Sequence, residues 1–399
     1  MTDGMAASGE MPTFEQDFSL VAGGPFYGVF QKCGPLLRLH SSVQAALWVA
    51  VTWVPLLAFS IGQGTGWGSK VSIPLLSDPS VFGRFFVAIP LLISAEVVIG
   101  RLVRQAVLIF SSSGIIKQED LPIFRKRLAT FLRLRDSSLA ELFLAVLACV
   151  PYYLLFSDYE WVVRGVSTWH GTTSQGLSPA GWWFTCVSSP ILRFLMFRWF
   201  WRFTLWTQFV VWMSRLNLVL VPTHPDRLGG LGFLLHSQKQ FGIVAAAMAS
   251  VIAGQFANEI VYFGETFHGI TAPAAAFVVL SALVILSPLI AFSSKLFSAR
   301  YDSLLRNNGV ARSVTRRFED KWTRGLGASP AAMVGTQDPS SIIDYISTYD
   351  VIRETSVIPI NKRAVIYVMA LAATPFASLW LLNKPLEQLI TEVLKRLLD

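Results

Sequence analysis

Seven separate runs of mostly apolar residues, each close to the ~20 residues a helix needs to cross a bilayer, leave few folds open to this chain. They extend from Val43 to Gly62, Val81 to Gly100, Leu139 to Phe156, Trp182 to Arg202, Phe241 to Phe263, Ala272 to Ser294 and Ala364 to Leu382. In hydrocarbon every backbone N–H and C=O must be bonded internally, so such runs are read as helices. Only 15% of the 399 residues are charged, against about 25% in soluble domains, and the mean hydropathy is +0.51. The expectation is an all-α polytopic membrane helical bundle with about seven transmembrane helices. Six result if the last run is re-entrant. A disordered chain, a disulfide scaffold and a cytosolic enzyme with a minor anchor are excluded.

Pro55, Pro90, Pro190, Pro288 and Pro375 fall within the runs and predict kinks, with neighbouring helices re-satisfying the freed carbonyls. The second run is expected to continue to Phe110, the fourth to Leu216 and the sixth through Tyr301 and Leu305. Lys and Arg gather in alternate connections. The second holds Arg101, Arg104, Lys117, Arg125, Lys126, Arg127, Arg133 and Arg135, and the sixth holds many more between Lys295 and Arg363. By the positive-inside rule these face the cytoplasm of a bacterial inner membrane, and the N-terminus with them. Neither a cleaved signal peptide nor an internal repeat is evident. The net charge of +8 is explained by loops facing anionic lipid, and no nucleic-acid-binding motif accompanies it. Cys33, Cys149 and Cys186 form no metal or disulfide pattern and read as reduced.

Four segments follow: a cytoplasmic N-terminal segment (1–42), a bundle with six spans (43–294), a cytoplasmic helical segment (295–363), and a last span with an amphipathic C-terminal helix (364–399). Within 295–363 a first helix extends the sixth span and is expected to break at Asn307-Asn308-Gly309. A second helix is expected from Ser340 to Val357, capped by Ser340 or Ser341. Neither builds a core alone. They are expected to pack on the basic second connection, or on the same helices of another subunit in a homo-oligomer.

The most distinctive stretch is Pro222-Thr223-His224-Pro225-Asp226-Arg227, followed by Gly229, Gly230 and Gly232. Arg227 and free amides at the next helix start suit a phosphate or carboxylate. Equally, Asp226 is suited to cap that helix while the glycines let the loop fold against the bundle. His224 with Asp226 is a weak metal signal, and no metal or cofactor is expected. The stretch from Thr223 to Asp226, together with Gly229 to Leu234, resembles a Thr-His-Pro-Asp…Gly-Gly-Leu-Gly-Phe-Leu signature of bacterial multi-pass membrane proteins. That resemblance implies membrane residence and no particular activity.

Charges inside spans are costly and point to function or to pairing. With a ~1.5 Å rise per residue, Arg193 lies about 16 Å from the outer end of its span and Glu96 about 22 Å along the second. Glu96 is therefore the acidic partner expected for Arg193. Arg198 and Arg202 share a helix face and reach headgroups, and Glu141 starts the third span. Glu96, Glu141, Arg193, Arg198, Arg202 and the Thr223–Arg227 loop are together expected to form a polar chamber open to the cytoplasm. One reading is a site for an anionic ligand, conducted ion or lipid headgroup. The other is an ion-paired network that fixes packing. At the outer side, Arg84 is expected to pair with Gln255, Asn258 or Glu259. Three activities stay open: a channel or transporter for an anion, an enzyme acting on a phosphorylated or lipid-linked substrate with His224 as base, and a non-catalytic membrane assembly protein. No established catalytic motif assembles from these residues.

Overall fold

The computed structural model describes residues 18–21, 23–24, 41–150, 165–172, 176–324, 333 and 336–382. Helices carry the fold: α1 (Ser41–Gln63), α2 (Pro79–Ser112), α3 (Leu121–Arg135) and α4 (Ser138–Cys149). After them, α5 joins the continuous segments Pro179–Trp183, Phe184–Ser188 and Ser189–Met213. Next come α6 (Gly232–Lys239), α7 (Gly242–Phe263), α8 (Phe267–Trp322), α9 (Asp338–Glu354) and α10 (Lys362–Ala377). Among the described residues the sheet is a single antiparallel pairing of β1 (Gly171–Thr172) with β2 (Gly176–Leu177).

Four helical stretches are long and apolar enough to cross a membrane: Ser41–Gln63, Pro79–Ser112, Gly232–Phe263 and Phe267–Trp322. Leu47, Val51 and Val54 on α1, and Leu280, Leu283 and Val284 on α8, are all exposed. Contiguous apolar surface of this kind belongs against lipid, and these helices mark a membrane protein. The other three predicted spans differ. The third is helical as α4 only to Cys149, 12 residues, and its predicted end, residues 151–156, lies outside the described residues. The fourth is helical but carries Arg193, Arg198 and Arg202. The last is the 16-residue α10 followed by Leu379–Leu382. The predicted C-terminal amphipathic helix and Cys33 lie outside the described residues.

Helix α7 is central because its side chains are small. Ala245, Ala249, Ala253, Gly254 and Ala257 are buried, and 61% of the apolar window in Gly232–Phe263 is covered, against 22% for α1. It packs on α2, α8 and α10. At the α2 crossing, a Cβ on Gly83 would stand 2.4 Å from the Ser250 carbonyl oxygen, and one on Gly254 would stand 2.8 Å from Ser80 Cα. Small residues allow this approach, as is common where helices pack in membranes.

Helices α2 and α5 share a construction that is not visible as a repeat in the sequence. Each starts from a side-chain cap followed by proline, Asp78-Pro79 and Ser178-Pro179. Each then widens into a π-helical segment, Phe82–Ala88 and Phe184–Ser188, and resumes an α-helix with proline second, Pro90 and Pro190. A proline clashes with the carbonyl four residues back and cannot bond it. The π segment shifts the bonding by one residue and makes room. In α8, Pro288 sits in a 3-10 segment instead, Ser287–Phe292.

Beyond that segment α8 continues as Ser293–Trp322, 30 residues or about 45 Å, and α9 packs along it. Asp338 accepts from the Trp322 indole at 3.1 Å and pairs with Lys321, while the Tyr345 hydroxyl donates to the Asn307 carbonyl at 2.9 Å. Two expectations are corrected here. The helix does not break at Asn307-Asn308-Gly309: the Asn307 amide donates back to the Ser303 carbonyl at 2.8 Å, and packing of α9 outweighs the ~1 kcal/mol glycine penalty. The second helix starts at Asp338 with Gln337 before it, not at a serine cap, because Pro339 fits the first turn and Lys321 and Trp322 hold Asp338.

Gly83→Val and Gly254→Val should each lower stability by about 2 kcal/mol or more through overpacking, read as a fall in melting temperature in detergent. Gly62→Ala, with nothing within 4 Å, should leave it unchanged or raised.

Candidate anion site

Glu96 on α2 and the Arg198/Arg202 face of α5 meet where these helices cross, fixed by the Trp199 indole donating to the Leu92 carbonyl at 3.0 Å. Arg202 Nη1 is 2.7 Å from Glu96 Oε1. Arg198 lies 3.8 Å from the same oxygen and, through Nε, 3.9 Å from Glu141 Oε1. Arg198, Arg202 and Glu141 are buried, and the Arg202 guanidinium lies 5.2 Å from the centre of the Trp199 ring. Burying such charges costs several kcal/mol per ion unless each is paired. Two carboxylates against two guanidiniums meet that demand.

Residues 18–21, which include no charged side chain, lie across this network as a strap. Phe18 and Leu20 are fully buried, with Phe18 against Phe131 at 5.7 Å between ring centres. Three arginines from three helices hold strap carbonyls. Arg104 Nε donates to the Phe18 carbonyl at 2.9 Å, Arg135 Nη1 to that of Ser19, and Arg202 Nη2 to that of Val21 at 3.1 Å. Arg135 also pairs with Asp136 at 2.7 Å. Glycines let the chain seat here: a Cβ on Gly100 would press on Val21, and Gly24, at φ +90, turns against Glu141. Beside the strap is a cavity of about 320 Å³ lined by Ser19, Val21, Glu96, Gly100, Arg101 and Arg104, among others.

Of the charges expected to gather, Glu96, Glu141, Arg198 and Arg202 do so. Arg193 pairs elsewhere. Its Nη1 donates to the Val150 carbonyl at 2.6 Å, at the end of α4, and its Nε reaches the Ser189 carbonyl at 3.4 Å. At ~100° per residue, Arg193 and Arg202 point to opposite sides of α5. Depth alone pairs Arg193 with Glu96, whereas rotational phase gives Glu96 to Arg202. Arg104, Arg135 and the strap carry no sequence signal that marks them as members of the site; Phe18-Ser19-Leu20-Val21 only opens an uncharged stretch that follows Glu15 and Asp17.

The Thr223–Arg227 loop is organised by its own carboxylate. Asp226 Oδ1 accepts the amides of Leu228 at 2.8 Å and Gly230 at 3.1 Å, and Oδ2 accepts that of Gly232 at 2.8 Å. His224 Nδ1 lies 2.9 Å from Oδ1. The amides an incoming anion would use are thus already held. Arg227, at φ +56, and Gly229 and Gly230, at φ +64 and +93, bend the chain around that carboxylate. Thr223 and His224 are exposed. The loop docks on the end of α9: Arg227 pairs with Glu354 at 2.9 Å, the Thr355 hydroxyl donates to the Pro222 carbonyl at 2.8 Å, and the Ser356 amide donates to the Arg227 carbonyl at 2.8 Å.

At the opposite end of α2, Asp78 is buried and accepts from Ser80, the Trp169 indole at 2.8 Å and the Asn258 amide at 2.8 Å. Arg84 donates to Gln255 at 3.4 Å, one of its expected partners. In the sequence Asp78 is legible only as a helix cap before Pro79. Among the described residues no three His, Cys, Asp or Glu side chains stand close enough to hold a metal ion. The chain matches no family model, no curated protein and no solved structure.

Glu96→Gln should destabilise the protein by about 3 kcal/mol or more, because it leaves buried guanidinium charge uncompensated. Arg193→Gln should cost about 1 kcal/mol, the scale of a helix-end contact. Both are read by thermal unfolding in detergent.

Burial alone would push the Asp226 carboxyl up, but the amides of Leu228, Gly232 and Gly230 and the His224 ring hold it below its ordinary value. The stabilisation it provides is therefore present above about pH 4 and lost as pH falls through the lowered folded value. Asp226→Ala should cost about 2 kcal/mol near neutral pH, with the gap to wild type closing in acid.

Proposed function

We propose that the protein is a bacterial inner-membrane channel or transporter for an anionic solute, with its arginine-rich end facing the cytoplasm. The observation that carries this reading is the gathering of Arg104, Arg135, Arg198 and Arg202 around Glu96 and residues 18–21, next to a cavity that Arg101, Arg104 and Glu96 line. Four guanidiniums face three carboxylates there, those of Glu96, Glu141 and Asp136. Positive surplus along a permeation path favours anions and repels cations. The resemblance of the Thr223–Leu234 stretch to bacterial multi-pass proteins agrees with the location. Within this reading the loop is a structural brace for α9, and Arg193 ties α5 to the end of α4.

Purified protein in liposomes tests it. The full chain should support chloride or phosphate flux. Arg104→Gln should reduce that flux about tenfold, the rate equivalent of ~1.4 kcal/mol, while leaving the Glu96 pairs in place. Absence of flux in correctly folded protein would reject transport.

A second reading rests on the helix pair formed by Ser293–Trp322 of α8 and by α9. Tyr301, Leu305, Val310, Ile343 and Ile346 are exposed on it, and such a pair suits a membrane assembly protein that associates through these helices with a second copy. Co-purification of differently tagged copies, lost on Leu305→Asp with Ile343→Asp, distinguishes it.

A further inference from the structure

We infer that Arg104, Arg135 and Arg202 form a binding site for an oxyanion, the phosphate or carboxylate of a solute or lipid headgroup, and that residues 18–21 occupy this site in its absence. The inference rests on the anion-transport reading and assigns a ligand class and an occupant to the same arginines. The geometry is that of a three-point oxygen cradle. Guanidiniums from α2, α3 and α5 converge on oxygens of one short segment. Those oxygens are neutral carbonyls, and the segment contributes no carboxylate. A guanidinium bond to an ionised oxygen is about twice as strong as one to a neutral oxygen. Arg202 and Arg135 keep their pairs with Glu96 and Asp136, and an oxyanion competes with the strap carbonyls for the donors that remain.

The strap has its own holding force, which makes the exchange a competition. Phe18, Leu20 and Val21 are buried, and Val21 rests where Gly100 lacks a side chain. Tethered to the rest of the chain, the strap acts at high effective concentration. The adjoining cavity of about 320 Å³, lined by Arg101 and Arg104, gives an entering anion room beside the strap before it leaves.

The position of Gly100 supplies the test. A Cβ built there stands 3.6 Å from Val21 Cβ, within the ~3.5–4.5 Å range of disulfides. In the full chain with Cys33, Cys149 and Cys186 changed to Ser, Val21→Cys with Gly100→Cys should form a bond that locks the strap. Binding is read by calorimetric titration of inorganic phosphate, and separately of phosphatidylglycerol, into protein in uncharged detergent.

The reduced protein should bind at least one probe, and oxidation should weaken that binding at least tenfold. Phosphate binding identifies a free solute, and binding of phosphatidylglycerol alone identifies a headgroup. As a second variant free of the disulfide, Leu20→Ser should loosen the strap and raise affinity at least threefold. Equal affinity in locked and reduced protein, or an unchanged Leu20→Ser variant, overturns the competition. Binding of neither probe overturns the site. Liposome flux of the same proteins separates the two readings: flux without binding leaves transport standing and removes the oxyanion site, whereas binding without flux removes transport alone.

Discussion

Burial of two arginines of α5 against Glu96 and Glu141 is the constraint on which the arginine-rich end depends. An unpaired guanidinium at that depth would cost more than most single contacts return, so the rotation of α5 about its axis is set by the need to bring Arg198 and Arg202 to those carboxylates. The same rotation sends Arg193 to the far side, where the Val150 carbonyl at the end of α4 receives it. It also brings the Trp199 indole onto the Leu92 carbonyl. The strap completes the arrangement by offering carbonyls to donors that the carboxylates do not saturate.

Backbone adjustments make that crossing achievable. Pro90 and Pro190 would each leave a strained turn in a regular helix, and the π segments before them absorb the mismatch. Pro90 and Pro190 stand at the same remove from their caps, Asp78 and Ser178, so the two helices that meet at Glu96 carry the same device at the same distance from their starts. On the other side of α2, the glycines and alanines of α7 remove the side-chain bulk that would hold the helices apart. Large residues such as Trp199 and Trp206 are buried on α5, and small ones on α7.

The Thr223–Leu234 stretch shows how one pattern of residues serves two chemistries. Free amides beside glycines and an arginine describe an anion cradle as well as a carboxylate-centred turn. Asp226 decides between them by occupying three amides itself. The loop then becomes a buttress whose outer surface receives the end of α9.

The membrane character, the helical class, the long extension of α8 and the concentration of basic residues between the spans were all legible in the residues alone, because they follow from local apolarity and charge along the chain. The break expected at Asn307-Asn308-Gly309 was not realised, since the contact with α9 lies far away in sequence. Pairing was likewise beyond local reading. Glu96 has three arginines of α5 near its depth, and only the rotation of two packed helices selects Arg202 and Arg198 over Arg193. The strap is the extreme case: Phe18 to Val21 carry no motif, and their role comes from the slot that distant helices leave for them.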